Sequence, residues 1–521
     1  MLTRLKVSGF KNLVDVDVRF GPFTCIAGAN AVGKSNLFDA ISFLGALANL
    51  PLLDAAQRIR EGLTDDVRGL FHRIGQRHDP TMAFVAEMII PEKGTTELGQ
   101  EVKAAITFVR YTLELAFRKV EMEGQSSGPG EDQVGLIEFS YGDFEILKEE
   151  LKPINIGEAK DHLLFPHHRD WRTSTIKGRR TVPFITTELD TMGRAQINLH
   201  PDRGKSGGRT APNLASTLPR TVLSTANAPE NRTAMLVRRE MQSWRRLQLE
   251  PAALRKPDEF SAPPRLGSDG SHLAATLHRL ARCWQAGSAA ADERARVYAR
   301  IANRLANLVD DVREVKIDVD RQRELFTLVA TDRAGTAHPA KALSDGTLRF
   351  LALAVIELDP SAQGVLCLEE PENGINPLRI PAMLQLLRDI ATDPDEPGGP
   401  DNPLRQVIIN THSPVVVSEV PEDSLVVAES RETVRGTQRY QRASFGCLPG
   451  TWRDPKDSEG KRPDIVSLGT LLGYLSPVPM SEAVPEHNGH PEDSSSKRPQ
   501  SQRVIDRPDV QQLLFFGNDP E

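Results

Sequence analysis

The chain has 521 residues, of which 39% are hydrophobic and 26% charged, and its formal net charge is −7. This composition is ordinary for a soluble globular protein with two or three domains. No stretch approaches the ~20 apolar residues that span a bilayer, and the first residues carry no apolar signal region. The four cysteines have neither disulfide-framework nor zinc spacing, so we expect a cytoplasmic protein without a membrane partner.

The first 27 residues predict a group of short strands. A turn is expected at Gly9-Phe10-Lys11-Asn12, after which Val14, Val16 and Val18 alternate with polar residues. Such alternation is typical of a half-buried strand.

Residues 28–35, GANAVGKS, fit the phosphate-binding pattern G-x-x-x-x-G-K-[ST]. A short apolar run, 23–27, precedes it and predicts a buried strand, and helical spacing of apolar residues follows over 36–44. Backbone N–H groups at such a helix start bind phosphate oxygens, while Lys34 would reach the β- and γ-phosphates and Ser35 would ligate Mg²⁺. The predicted cofactors are therefore ATP and Mg²⁺. The predicted nucleotide-binding residues are Gly28, Ala29, Asn30, Ala31, Val32, Gly33, Lys34, Ser35 and Asn36.

The middle of the chain contains a strongly basic segment. Strands are expected at 83–90 and 111–117, and then residues 160–256 carry 18 Lys and Arg against 8 Asp and Glu. This is a net +10 in a chain that is otherwise −17. Phosphate contacts come from such clusters, and an aromatic residue among them can stack on a base, so we expect this segment to contact DNA. The alternative is a basic loop that pairs with the acidic body of the same protein. The densest cluster is Arg169, Trp171, Arg172, Lys177, Arg179 and Arg180.

The remaining elements suggest a division of the chain. Residues 271–311 have the spacing of two helices, 313–330 predict a hairpin, and 477–505 have the composition of a disordered segment. The predicted units are a first ATPase lobe (1–160), a basic insertion with a helical region (161–312), a second ATPase lobe (313–430), a C-terminal extension (431–476) and a largely disordered tail (477–521).

Three further stretches carry candidate site residues. Ser344-Asp345-Gly346 opens a helical run, as an N-cap would. Glu369 and Glu370 follow the apolar run 365–368, and His412 follows the apolar run 407–409. Because α/β sheets bind ligands at the carboxyl ends of their strands, we expect the acids and the histidine at one edge. Adjacent buried acids need a counter-charge, and Mg²⁺ is the simplest one.

The order of these motifs resembles the ATP-binding-cassette (ABC) ATPases. The turn at 9–12 and the stretch EEPENGINP (369–377) are more similar to the RecF, structural-maintenance-of-chromosomes (SMC) and overcoming-lysogenization-defect (OLD) ATPases. The resemblance covers about 1–50 and 335–430. It implies an α/β fold of the P-loop NTPase type, an ABC-type ATPase head. Its mixed or largely parallel sheet would be flanked by helices, with an inserted α+β or helical region.

The resemblance also implies roles. Glu369 would take the place of the metal-binding Walker B acid, Glu370 that of the general base and His412 that of the switch histidine. Ser344, Asp345 and Gly346 would form the signature that caps the γ-phosphate bound by a second copy, so a homodimer would close around ATP. Glu369 departs from the usual Asp, and Asn376 stands where many relatives have His. A Q-loop glutamine is not assigned, since Gln57 and Gln76 both fit poorly.

The leading hypothesis is an ATP-hydrolysing switch that acts in DNA repair or anti-phage defence. Three alternatives were weighed. An OLD-type nuclease needs a Toprim domain, for which the C-terminal residues offer no Asp-x-Asp strand. A transporter ATPase subunit is disfavoured by the large insertion. A nucleotide-dependent sensor for a separately encoded effector would need no DNA contact.

Overall fold

A computed structural model describes residues 1–59, 67–119, 142–202, 213–227, 229–282, 289–309, 311–454, 463–475 and 502–511. The strands are β1 (Leu2–Ser8), β2 (Val16–Arg19), β3 (Phe23–Gly28), β4 (Arg73–Ile74), β5 (Arg77–His78), β6 (Thr81–Ile89), β7 (Lys93–Thr95), β8 (Glu101–Lys103), β9 (Phe108–Lys119), β10 (Gly142–Pro153), β11 (Ile185–Leu189), β12 (Ala195–Leu199), β13 (Asn213–Leu214), β14 (Arg245–Leu247), β15 (Asp258–Glu259), β16 (Val312–Asp320), β17 (Leu325–Asp332), β18 (Ala337–Pro339), β19 (Gly364–Glu369), β20 (Arg405–Thr411), β21 (Leu425–Arg435), β22 (Gln438–Cys447) and β23 (Asp464–Ile465). The α-helices are α1 (Lys34–Leu47), α2 (Leu52–Ile59), α3 (Ala159–His162), α4 (Arg169–Thr175), α5 (Arg232–Gln242), α6 (Pro251–Leu254), α7 (Leu273–Arg282), α8 (Ala289–Ala306), α9 (Asp345–Leu358), α10 (Ile380–Ile390), α11 (Pro414–Glu419) and α12 (Leu468–Leu475).

A mixed sheet lies at the centre of the fold, with described strands in the order β14-β19-β20-β3-β21-β22-β23. The first five run parallel, and β22 pairs antiparallel with β21. Both faces are covered by apolar packing: Ile26 of β3 faces one core, while Cys25 and Ala27 face the other. This coverage explains why β3, β19 and β20 are continuous apolar runs in the sequence. The predicted α/β fold class is confirmed.

A second sheet is antiparallel throughout and has the described order β13-β12-β11-β10-β9-β6-β1-β2. It contains the strands predicted around Val16, 83–90 and 111–117. Its buried face packs with α1 and α5 against one side of the mixed sheet. The predicted basic insertion extends this sheet, because β11, β12 and β13 come from it.

The other side of the mixed sheet is covered by α7, α8, α9 and α10. The hairpin predicted at 313–330 forms as β16 and β17. Strand β14 lies within the predicted insertion but pairs with β19 at the edge of the mixed sheet. The predicted division into domains stays a prediction.

Two outcomes concern the periphery. Most of the tail that is predicted to be largely disordered lies outside the described residues. Within 502–511, Val504 and Val510 are buried and Val504 packs beside α11, so this part of the tail is ordered. Among the described helices, none combines the length and the apolar character that a bilayer crossing demands.

Candidate nucleotide-binding site

The phosphate-binding motif joins strand β3 to helix α1, as the sequence predicts. Ala31 and Gly33 have φ angles of 66° and 115°, so the loop turns through left-handed conformations before the helix begins. Residues 29–31 and Ser35 are exposed, whereas the side chain of Lys34 is buried. The Lys34 Nζ donates hydrogen bonds to the carbonyl oxygens of Gly28 at 2.5 Å and Ala29 at 2.8 Å. The ammonium group is therefore held inside the loop, where phosphates would lie.

The predicted turn at 9–12 supports this loop. The Asn36 amide donates to the Asn12 Oδ1 at 2.8 Å, and the Asn12 amide donates to the Val32 carbonyl at 3.3 Å. A Cβ on Gly33 would lie 2.8 Å from the Asn12 side chain and from the Ala443 Cβ. Glycine is required here both by this close approach and by the positive φ angle.

Glu370 and His412 meet at the carboxyl ends of β19 and β20. The Glu370 Oε1 lies 2.7 Å from the His412 Nδ1, and the Asn373 amide donates to the other carboxylate oxygen at 2.9 Å. The backbone of Glu370 has a φ of 44° and donates to the Asn410 side chain at 3.1 Å. Burial raises the pKa of Glu370, but hydrogen bonds from Asn373 and His412 outweigh it and hold the pKa below its ordinary value. A strained, ionised carboxylate at a sheet edge is typical of a functional site.

Glu369 has a counter-charge that the sequence did not predict. Its Oε1 lies 2.8 Å from the Arg246 Nη2, and the Arg246 Nη1 lies 2.7 Å from the Asp39 Oδ1. Arg246, which β14 brings beside β19, is thus a counter-charge in addition to the predicted Mg²⁺, whose binding stays a prediction. The Glu369 Oε1 nevertheless lacks a hydrogen bond of good geometry among the described residues.

A third acid, Glu372, is buried behind this edge. Its Oε1 accepts a hydrogen bond from the Thr411 hydroxyl, while its Oε2 is buried without a hydrogen-bond partner among the described residues. Burial raises the pKa of Glu372. Burial also lowers the pKa of Lys34, an effect that the charges of the three glutamates oppose. Lys34 and these acids thus form one electrostatic unit.

The predicted signature residues lie at the start of α9. Ser344 is its N-cap and accepts a hydrogen bond from the Thr347 N–H at 3.2 Å. A Cβ on Gly346 would lie 2.2 Å from the Gly374 carbonyl oxygen, so this glycine permits close packing on the loop after Glu372. Ser344 and Asp345 are exposed. Within the described chain, none of these three residues bonds to residues 28–36.

A glutamine that sequence reasoning missed lies at this edge. Gln248 follows β14 and lines a cavity of about 230 Å³ together with Glu369 and Glu370. Both earlier candidates, Gln57 on α2 and Gln76 in the turn between β4 and β5, are exposed and do not line it. Only the pairing of β14 with β19 identifies Gln248, and β14 is too short for its sequence to predict a core strand.

In the basic segment, the structure does not support the predicted stacking of Trp171 on a base, whereas the predicted contact with DNA stays a prediction. Trp171 is fully buried and packs on Phe165 with ring centroids 5.4 Å apart, so it is not available to stack on a base. The Arg180 guanidinium donates to the carbonyls of residues 182, 201 and 202 and lies over the Phe184 ring. Lys177 pairs with Glu92 at 2.5 Å. Lys177 thus pairs with an acid of the same protein, as the alternative interpretation of the segment expects, whereas Arg180 bonds to uncharged carbonyl groups.

A family model described as "AAA domain, putative AbiEii toxin, Type IV TA system" matches residues 23–87 and 240–418, somewhat less than half of the chain. A search of curated proteins finds no match.

Similar solved structures include three SMC heads. One is bound to the C-terminal winged-helix domain of ScpA (TM-score 0.41, 11% identity, 86% of this chain and 98% of that chain covered). A second, with an extended coiled coil and bound to the C-terminal domain of ScpA from Pyrococcus furiosus, has a TM-score of 0.37 at 12% identity (86% and 96% covered). The third, from Thermotoga maritima, has a TM-score of 0.33 at 10% identity (86% and 98% covered). Residues 23–87 and 240–418 are therefore similar to an AAA-type ATPase domain, and the α/β fold that contains them is of the P-loop NTPase type.

Proposed function

We propose that this chain binds ATP between the P-loop and the carboxyl edge of β19 and β20, hydrolyses it, and uses the nucleotide to close and open a head-to-tail homodimer. The observation that carries the proposal is the 2.7 Å contact of Glu370 with His412 beside the P-loop strand. Parallel strands β19, β20 and β3 are neighbours, so the base, the histidine and the phosphate loop share one edge.

The residues present fit a magnesium ion. Ser35 presents an exposed hydroxyl at the start of α1, and Glu369 has a carboxylate oxygen without a well-aligned hydrogen bond. Hydroxyl and carboxylate oxygens are the ligands that Mg²⁺ prefers. Ser35 and Glu369 would hold the ion, which when bound would neutralise charge between the β- and γ-phosphates.

The remaining residues have roles that follow from their positions. Lys34 contacts the phosphates, Glu370 accepts the proton of the attacking water, and His412 orients Glu370 and lies toward the γ-phosphate. Gln248, at the end of β14, is placed to contact the same water. Ser344, Asp345 and Gly346 complete the site of a second copy, for which the exposure of Ser344 and Asp345 is the support.

The biological setting of the proposal is a nucleotide switch in anti-phage defence or DNA repair. The matched family model is described as a putative toxin of a type IV toxin–antitoxin system, which supports the defence setting. A second candidate is a nucleotide-dependent sensor for a separately encoded effector. This candidate is favoured because Lys177 pairs with Glu92 and Arg180 donates to the Asp202 carbonyl, so that fewer cations of the basic segment are available to DNA.

The Glu370→Gln variant tests the chemistry. We expect ATP binding to remain while hydrolysis falls about 10²- to 10⁴-fold, the range that general base catalysis supplies. Hydrolysis would be followed by phosphate release, and binding by fluorescence of a labelled ATP analogue. Glu432→Gln, on the outer part of β21, is a matched control that should hydrolyse ATP normally. Wild-type hydrolysis by Glu370→Gln would show that Glu370 is not the base.

The dimer is tested with Ser344→Arg in the Glu370→Gln background. A bulky cation at the start of α9 should prevent closure on the facing nucleotide, so light scattering with ATP should show a dimer for Glu370→Gln and a monomer for the double variant. Ser261→Arg, at another exposed serine, should leave the dimer intact. A Glu370→Gln protein that stays monomeric at high concentration with ATP contradicts the shared site.

A further inference from the structure

We infer that Arg246 is a positioning residue that holds Glu369 before the metal arrives. The guanidinium and the divalent cation of the nucleotide then compete for this carboxylate, and Asp39 retains the arginine when the cation is bound. The inference rests on the proposed function, because it concerns how that same site takes up its metal.

Arg246 lies between two acids from different elements. One amino group pairs with Glu369 at 2.8 Å and the other with Asp39 at 2.7 Å. Asp39, on α1, also pairs with Lys11 of the turn at 9–12. An alternating row of charges therefore runs from that turn, through α1 and β14, to the end of β19. Arg246 and Glu369 are partly accessible, with side-chain exposures of 31% and 21%.

The contact with Glu369 is less complete than a settled arginine–carboxylate pair. Arg304 donates to both oxygens of Glu357 through its Nε and Nη2, the two-pronged arrangement that such pairs favour. Arg246 approaches Glu369 through one amino group only, and its own Nε is buried without an acceptor among the described residues. A buried N–H group of this kind lacks an acceptor such as a water molecule, so Arg246 is not fully hydrogen-bonded where it lies.

The surroundings give Arg246 room to move and a second partner. A cleft of about 1170 Å³ is lined by Lys11, Asp39 and Arg246 and continues along α1. The pair with Asp39 is made by the amino group that does not contact Glu369. Release from Glu369 therefore costs only one of two ion pairs. A divalent cation concentrates twice the charge of a guanidinium, so the exchange favours the metal once nucleotide phosphates help to bind it.

The alternative is a fixed structural role, in which Arg246 braces β14 against β19 and the metal binds without displacing it. The two roles predict different changes in metal affinity for substitutions at Arg246 and at Asp39. Removing Arg246 frees Glu369 for the metal, whereas removing the charge of Asp39 leaves the guanidinium to Glu369 alone. A brace would make both variants weaken metal binding.

The experiment measures binding, independent of turnover. A fluorescent non-hydrolysable ATP analogue is titrated with Mg²⁺, starting from EDTA, and the Mg²⁺ concentration at half-maximal binding is compared between variants. For Arg246→Gln we expect this midpoint to fall about five-fold, the scale of a partly exposed ion pair, and for Asp39→Asn to rise by a similar factor. Arg431→Gln is the matched control, because Arg431 also bridges two acids (Glu429 and Asp464) at 36% exposure, away from the site. Circular dichroism establishes that each variant is folded.

Opposite shifts for Arg246→Gln and Asp39→Asn, with Arg431→Gln unchanged, support the competition. An unchanged or raised midpoint for folded Arg246→Gln overturns it while the proposed function stands. A wild-type protein that binds the analogue neither in EDTA nor in Mg²⁺ overturns the proposed function and this inference together.

Discussion

Carboxylate oxygens are buried both in the eight-stranded sheet and at the carboxyl edge of the mixed sheet. The two regions differ in how completely these oxygens are hydrogen-bonded. In the eight-stranded sheet, Glu87 accepts from Arg110 and His162, and Glu149 accepts from the Tyr111 hydroxyl and two backbone N–H groups. At the edge of the mixed sheet, the Glu372 Oε2 is buried without a hydrogen bond from a described residue, and the Glu369 Oε1 has its ion pair with Arg246 but no well-aligned hydrogen bond from a described residue.

The difference separates structural from functional burial. A buried acid whose oxygens all accept hydrogen bonds contributes to the fold and has no free oxygen to offer a ligand. An acid with a buried oxygen that lacks a well-aligned hydrogen bond lowers stability unless a ligand binds that oxygen. At the edge of the mixed sheet, the acids that lower stability in this way lie beside the phosphate loop. A nucleotide and its metal would supply the missing partners there.

Of the substitutions that test this difference, Glu87→Gln should lower the free energy of unfolding the most. Burial raises the pKa of Glu87, but His162, Arg110 and Arg4 outweigh it and hold the pKa at about 2, so the group is a buried anion. Removing its charge takes the carboxylate partner away from Arg110 and His162 and leaves Arg4 with Asp17 alone, so we expect a loss of about 3 kcal/mol in the free energy of unfolding. Urea unfolding followed by circular dichroism measures it, with Glu145→Gln on β10 as the control. A loss under about 1 kcal/mol contradicts a structural role, as would impaired binding of ATP by the folded variant.

Glu149 gives the next effect, through pH. Burial raises its pKa to about 7, against an ordinary value of 4.5, although two backbone N–H groups and Tyr111 oppose the shift. Because the unfolded chain releases this proton first, stability should fall as pH rises from about 4.5 to about 7, by on the order of 2 kcal/mol. Glu87 has the opposite sign: its contribution is present above about 4.5 and is lost as pH falls toward 2.

Unfolding free energies across this pH range distinguish the two groups. Glu149→Gln should flatten the decline between pH 4.5 and 7, whereas Glu145→Gln should keep the wild-type slope. An unchanged slope in Glu149→Gln would assign the pH dependence to other groups and remove Glu149 from the comparison.

Some residues of the candidate site could be predicted from the sequence, and others could not. The P-loop, the acids after 365–368 and His412 could be predicted because each follows directly from an apolar strand, and parallel strands end at one edge. The Arg246 pair could not be predicted, since β14 has three residues and its partners lie far away in the chain.

The burial of Trp171 was equally inaccessible to sequence reasoning. Its cover comes from Phe165 and, beyond it, from Trp452, and its indole N–H reaches the Thr392 hydroxyl at 3.4 Å. Local composition therefore gave a basic segment with an aromatic residue, and only the tertiary contacts turned that residue inward.

The same criterion of satisfied and unsatisfied charge yields the smallest predicted effect, in the basic segment. Lys177 and Arg180 are bonded within the protein, whereas Arg172 and Arg179 are exposed and form no side-chain ion pair or hydrogen bond with another described residue. If the segment contacts DNA, the unbonded pair supplies the contacts, so Arg172→Glu with Arg179→Glu should weaken binding and reduce the dependence of log affinity on log salt by roughly one per contact. Gel shifts across a salt series, with and without a non-hydrolysable ATP analogue, measure this, and Arg321→Glu with Arg323→Glu, in the turn between β16 and β17, is the matched control. Equal loss in both double variants would indicate a general charge effect. No binding by the wild-type protein at low salt would exclude the DNA contact and leave the sensor for a separate effector as the better hypothesis.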